Sequence, residues 1–118
     1  METVRFEYVL PYPPTINTYW RKFRNHMTIS KRGRAFRNAV CLALRGSEPL
    51  EGPLLVKIRA YPPDRRKRDI DNIQKPLLDA LEKGKAFFDD NQISVLITQR
   101  CSPVRGGRTE VTIRKIQR

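Results

Sequence analysis

The stretch "LLVKIRAYPPDRRKRDIDNIQKPLLDAL", residues 54–81, changes its apolar period from two to between three and four across one short connection. Leu54, Val56, Ile58 and Ala60 alternate with Leu55, Lys57 and Arg59, the pattern of a strand with one buried face, predicted over 53–60. "YPPD" ends it, because proline cannot donate to a sheet ladder. Ile73, Leu77, Ala80 and Leu81 then form an apolar stripe at helical spacing, and Asp71 followed by Gln74 resembles a capping box. A helix is therefore expected from Asp71 or Asn72 to Gly84. Pro76 argues for a start a residue or two later, since a proline beyond the first turn removes a backbone hydrogen bond.

Working outward, residues 3–10 set Val4, Phe6, Tyr8 and Leu10 against Thr3, Arg5 and Glu7, a second strand that "PYPP" terminates. Residues 17–29 read as a loop running into a short strand around His26 to Ile29. Ser30 is placed to cap a helix from Lys31 to Arg45, with Phe36, Ala39, Val40, Ala43 and Leu44 on its apolar side and Gly46 as its stop. Ile93–Arg100 and Arg108–Lys115 read as strands, and "SPVRGG" between them suggests a terminal hairpin. The order strand, short strand, helix, strand, helix, strand, strand predicts a single α+β domain over residues 1–118. It has a mixed sheet of about four to five strands with two helices packed on it.

A chain of 118 residues fits one domain with a modest core. Its 24 Lys and Arg against 12 Asp and Glu give a net charge of +12, which points to a polyanion, and nucleic acid first, as partner. No apolar run approaches the roughly 18 residues of a membrane span, and "METVRFEYVL", with Glu2 and Glu7, does not read as a secretory signal, so a cytoplasmic protein is expected. Cys41 and Cys101, far apart and flanked by apolar residues, read as buried thiols, and His26 is the one histidine. Zinc sites want several such ligands at close spacing, so neither zinc nor Cys–His nucleophilic catalysis is expected, and no organic cofactor. A metal acting here would be a hard cation held by oxygen.

Asp69 and Asp71 stand directly against Arg65, Arg66, Lys67 and Arg68. Residues two apart in extended chain point the same way, about 6.6 Å apart at the backbone, near enough for both carboxylates to approach one cation. Asp89 and Asp90, in "FFDDNQI" before a predicted strand, form a second pair that a connection at a sheet end could bring to the first. Three converging carboxylates would suit Mg²⁺. The competing reading makes Asp71 a helix cap, Asp69 a screen for the arginines, Asp89 and Asp90 turn residues, and Lys75 the partner of Asp71 in a helical i,i+4 pair. Residue types and spacing leave both open.

"DRRKRDIDNIQKPLLDAL", followed by "FFDDNQI", resembles the core pattern R-D-x-D-N-x-x-K-x-x-x-D-A-L and then D-D of the RusA-type Holliday junction resolvases, small endonucleases of bacteria and phages. "LPYPPTINTYWR" and "HMTISKRGRAFR" are similar to that family's Pro-rich strand end and its next strand and helix start, so the resemblance covers nearly the whole chain. It implies a homodimer that cuts four-way DNA junctions by paired symmetric nicks, in recombination and repair. It also implies Mg²⁺ bound by Asp69, Asp71 and Asp90, Lys75 in the active site, and Asn72 and Asp89 beside it.

Cationic side chains release counterions from DNA phosphates, and the candidates are Arg21, Lys22, Arg24, Arg32, Arg34, Arg37, Arg65, Arg66, Lys67 and Arg68. Tyr19, Trp20 and Phe23 are candidates to stack on unpaired bases at a junction centre. A non-catalytic basic nucleic-acid-binding protein, or a phage assembly protein, would account for the charge without requiring the two acidic pairs.

Overall fold

The computed structural model describes residues 5–117. Thr3 and Val4 of the first expected strand, like Glu2, lie outside them. In chain order come β1 (Arg5–Leu10), a single helical turn α1 (Ile16–Tyr19), β2 (Trp20–Phe23), β3 (His26–Ile29), α2 (Lys31–Ala43), β4 (Leu54–Tyr61), α3 (Gln74–Lys83), β5 (Ile93–Arg100) and β6 (Arg108–Lys115). Four strands form a mixed sheet in the order β1-β6-β4-β5, and β2 and β3 form a separate antiparallel ribbon. The α+β class with a four-stranded mixed sheet and two main helices is as the sequence predicts.

β4 carries the expected alternation, with Leu54, Val56, Ile58 and Ala60 buried. Its partners Val111 and Ile113 on β6 are buried too, and these side chains meet Phe36, Val40 and Leu44 of α2 and Leu77, Ala80 and Leu81 of α3 in one core. Ser30 caps α2 as predicted: its hydroxyl accepts the Gly33 N–H and donates to the Thr18 carbonyl. Gly33 is required at that position, because a Cβ there would lie 2.3 Å from the Tyr19 carbonyl oxygen, where α2 runs against α1. α2 stops at Ala43, before the expected Arg45, and Gly46 follows with φ +86°.

Three local expectations are corrected. β5 and β6 are not a hairpin: β4 lies between them, parallel to β5 through the α3 crossover and antiparallel to β6. The connecting segment explains this, since Cys101 N–H donates to Ala60 O and Val104 N–H to Pro62 O, carrying the chain over the end of β4 instead of turning it back along β5. The short strand expected at His26–Ile29 is β3, but the segment before it is not a loop: it holds most of the single turn α1 and the strand β2, which pairs with β3. Cys41 and Cys101 are free thiols, each only half-buried.

The expected capping box at Asp71 and Gln74 is absent. A 3₁₀ turn, Ile70–Ile73, precedes α3, and Asp69 stands at its N-terminal edge with no side-chain cap bond. Gln74 instead donates from its amide to Thr98 Oγ1 on β5. With α3 starting at Gln74, Pro76 falls in its first turn, where a missing N–H leaves no intrahelical bond unmade. Gly84 ends α3 as predicted.

Candidate active site

The connection from β4 to α3 is built around Asp64. Its carboxylate accepts from Arg68 at 2.6 Å and from the Arg66 side chain at 3.2 Å, and it also takes the Arg66 backbone N–H. The Arg68 bond foremost, then the Arg66 backbone N–H, hold the Asp64 carboxyl well below the usual carboxylate range. Arg68 is further tied to the Asp64 and Arg66 carbonyls, while Arg100 donates to the Arg68 carbonyl at 2.6 Å. Arg68 is thus a staple of this loop, and it lines the same cleft as its basic neighbours. Arg65, Arg66 and Lys67 remain exposed. They line a cleft of about 680 Å³ shared with Tyr12, Asp69 and Arg100.

Charge compensation in the basic run therefore falls to Asp64, a residue the sequence reading passed over. Asp69 and Asp71 are both exposed, and neither makes an ion pair within 4.0 Å among the described residues. Two carboxylates without cationic partners, in a chain of net charge +12, are oxygen donors open to a cation.

Lys75, one turn further on, does not pair with Asp71. Its ammonium donates to Asp90 Oδ2 at 3.1 Å. Glu82, two turns along the same face of α3, accepts the backbone N–H of Asp90 at 2.9 Å. Carboxylate oxygens of Glu82, Asp89 and Asp90 lie within 4.8 Å of one another, a group that includes one expected metal ligand, Asp90, and a new acid, Glu82. Asp69 and Asp71 are not in that group. The structure thus brings Lys75 and Asp90 together and leaves the first acidic pair on the neighbouring 3₁₀ turn, with half-buried Asn72 inside the same turn.

Asp89 has a defined task. It caps the 3₁₀ turn Asp90–Gln92, accepting the Asn91 N–H, in a reciprocal capping box with Gln92. Gln92 Oε1 accepts from the Phe88 and Asp89 N–H groups, and its Nε2 donates to the Leu50 and Gly52 carbonyls, each bond between 2.8 and 2.9 Å. With that amide fully used, Gln92 fastens the turn carrying Asp90 to the segment leading into β4. The D-x-x-Q spacing that signals this box was visible at 89–92.

The aromatic candidates separate. Tyr19 is fully buried, so it is not a surface for bases. Its hydroxyl donates to Asp79 Oδ2, and Arg37 donates to the same oxygen at 2.9 Å and to the Tyr19 hydroxyl at 3.3 Å. Arg37 thereby ties together a junction between α1, α2 and α3. Trp20 is half-buried, edge-on to Tyr19 and packed on the core. Arg21, Lys22, Phe23 and Arg24 on the ribbon, and Arg32 and Arg34 on α2, are exposed.

Unpaired carboxylates and a lysine at a helix entrance, beside an arginine-walled cleft, are the side-chain chemistry of metal-assisted nucleases. Comparison with known proteins narrows that class. The family model for Endodeoxyribonuclease RusA matches residues 11–114. The chain is 38% identical over 111 residues to a crossover junction endodeoxyribonuclease of Enterobacteria phage 82, and 35% identical over 111 residues to that of Escherichia coli K12, with 92% of each chain covered in both pairs. To the phage HK97 protein of the same name it is 36% identical over 115 residues, covering 95% of this chain and 96% of the relative. The chain belongs to the RusA endodeoxyribonuclease family.

Proposed function

We propose that residues 1–118 form one endonuclease unit that resolves four-way DNA junctions, acting in the cytoplasm as a homodimer that makes paired symmetric nicks with Mg²⁺ in recombination and repair. The observation that carries this reading is the 3.1 Å pairing of Lys75 with Asp90, which draws together two segments of the family pattern 15 residues apart, beside the unpaired Asp69 and Asp71. The names of the relatives, crossover junction endodeoxyribonucleases, support the substrate and the reaction. No helix among the described residues is long and apolar enough to cross a membrane.

Asp69, Asp71 and Asp90 would hold the ion, with Asp89 and Glu82 close to Asp90. Oxygen donors of this kind suit Mg²⁺. Bound there, the ion supplies Lewis acidity toward a phosphate oxygen and a lowered pKa for water. The protein's own groups do the rest. Arg65, Arg66 and Lys67 draw the phosphodiester backbone into the cleft. Lys75 holds the Asp90 carboxylate until substrate arrives, then turns its ammonium to the scissile phosphate, where negative charge grows as water adds and the leaving oxygen departs. Glu82 and Gln92 fix the backbone of the turn so that Asp90 does not drift.

Lys75→Met is expected to lower single-turnover cleavage of a synthetic junction by about a hundredfold or more, through lost stabilisation of the developing charge. A variant that matched wild type in both cutting and junction affinity would remove Lys75 from the site. Gln92→Ala should slow cleavage about 10- to 100-fold and raise the Mg²⁺ concentration needed for half-maximal rate, with junction affinity retained, as for groups that orient metal ligands. An unchanged Mg²⁺ titration would make Gln92 a loop brace only.

A further inference from the structure

The β2–β3 ribbon stands apart from the main sheet, and its register shows what its two faces present. Trp20 opposite Ile29 packs toward the core, and Lys22 opposite Met27 continues that face. On the other face Arg21 lies opposite Thr28 and Phe23 opposite His26. Phe23 is 46% exposed, and the His26 ring meets it edge-on with centroids 6.1 Å apart. The guanidinium groups of Arg21 and Arg24 lie 5.8 and 5.5 Å from the Phe23 centroid. An aromatic side chain at a ribbon tip, with two guanidinium groups beside its ring and nearly half of its surface in water, gains nothing from the core.

The turn gives a second, independent observation. Arg24 and Asn25 join the strands, and Arg24 sits at φ +57°, a left-handed conformation that glycine adopts at lower cost. A charged side chain is kept at the tip against the local backbone preference, as at sites where strain accompanies function.

We propose that the ribbon is a platform for one unpaired nucleobase at the branch point of the junction, with Phe23 stacking on the base and Arg21 and Arg24 on the flanking phosphates. This rests on the resolvase reading above. Base-aromatic stacking is tolerant of sequence, because every base presents a π face, while the arginines add a cation to the same stack and charge for the backbone. A four-way junction offers bases at its crossover that lose a stacking neighbour, and a continuous duplex does not. The ribbon would therefore favour the branched substrate over linear DNA.

The test compares wild type, Phe23→Ala and Phe23→Trp on a catalytically silenced Asp71→Asn background, using a junction with 2-aminopurine at the branch point and a linear duplex of the same sequence. Phe23→Ala is expected to raise the junction Kd about tenfold, to abolish the protein-induced change in 2-aminopurine fluorescence, and to leave the duplex Kd unchanged. Phe23→Trp is expected to restore both junction signals. Equal junction affinity and fluorescence for Phe23→Ala and its parent, in a protein whose wild type cuts junctions, would overturn the platform alone. A wild-type protein that neither prefers nor cuts junctions would overturn the resolvase reading and the platform with it. A loss of junction and duplex affinity in equal measure would also reject it, making Phe23 a support for the neighbouring cations.

Discussion

Asp71→Asn is expected to bind a four-way junction at least as tightly as wild type and to cut it about a thousandfold more slowly. Replacing an exposed carboxylate by a neutral amide removes repulsion toward phosphate, so affinity holds or rises. The same change removes an oxygen ligand of high charge density from the cation, and several kcal/mol of lost transition-state stabilisation corresponds to about three orders of magnitude in rate. The structure strengthens this expectation by removing the alternative explanations for Asp71. It caps no helix through its side chain, it makes no ion pair with Lys75, and the arginines before it that do form ion pairs, Arg66 and Arg68, form them with Asp64. Binding measured by gel shift and cleavage measured under single turnover separate the two effects. A variant that lost binding and thermal stability together would return Asp71 to a structural role.

Asp79→Ala should be the most destabilising substitution outside the apolar core, at about 3 kcal/mol. Asp79 takes both the Tyr19 hydroxyl and the Arg37 guanidinium, with only 16% and 23% of the Asp79 and Arg37 side chains exposed. Its loss strands a buried hydroxyl and a poorly solvated cation at the meeting point of α1, α2 and α3. In a chain of this size the thermal midpoint should fall on the order of 10–15 °C. Asp79→Asn, which keeps an acceptor for Tyr19, should cost less. A fall of less than about 1 kcal/mol for Asp79→Ala would show that the triad contributes little.

The triad also sets an alkaline limit. Burial first, and then its bond to Asp79, push the Tyr19 hydroxyl from 10.0 up to about 12. The folded chain keeps that proton at a pH where the unfolded chain has lost it. This contribution is therefore complete below pH 10 and is lost as the pH rises toward 12, by a few kcal/mol. Tyr19→Phe should flatten the stability profile across that interval.

Most of the fold was legible because its elements obey their periods. β4, α2 and α3 lie within a few residues of the boundaries that alternation and the helical stripe indicate. Strand order was not legible. A segment such as "SPVRGG" looks like a hairpin turn by composition, and nothing local records that Cys101 and Val104 donate to Ala60 and Pro62 across the end of β4. Long-range backbone bonds of this kind carry no sequence signal of their own.

The same limit applied at the site. Two D-x-x-Q spacings occur, at 71–74 and 89–92, and only the second closes into a box, because Thr98 on β5 draws the Gln74 amide away from the first. The motif residues Asp69, Asp71, Lys75 and Asp90 were recognisable from their pattern, but the pairing of Lys75 with Asp90 in place of Asp71 needed the crossover. Glu82 and Gln92 act on backbone that comes within reach only once the chain has folded back, at Asp90 and at Leu50 and Gly52, whereas the bonds of Asp64 to Arg66 and Arg68 are local and follow from the loop's own turn. Tyr19 is the converse case, since an aromatic in a basic stretch looks like a DNA contact until its ring is buried and Asp79, sixty residues away, takes its hydroxyl.

The central claim is that this chain cuts branched DNA by means of a cation held among its carboxylates. It is tested most directly by incubating the wild-type protein with a labelled synthetic four-way junction and with linear duplex, each in Mg²⁺ and in EDTA, and mapping the cut strands. Symmetric nicks in two opposed strands of the junction are expected in Mg²⁺, none in EDTA, and an intact duplex throughout. Cleavage that persists in EDTA, or a junction left whole across Mg²⁺, Mn²⁺ and several branch-point sequences, would contradict it.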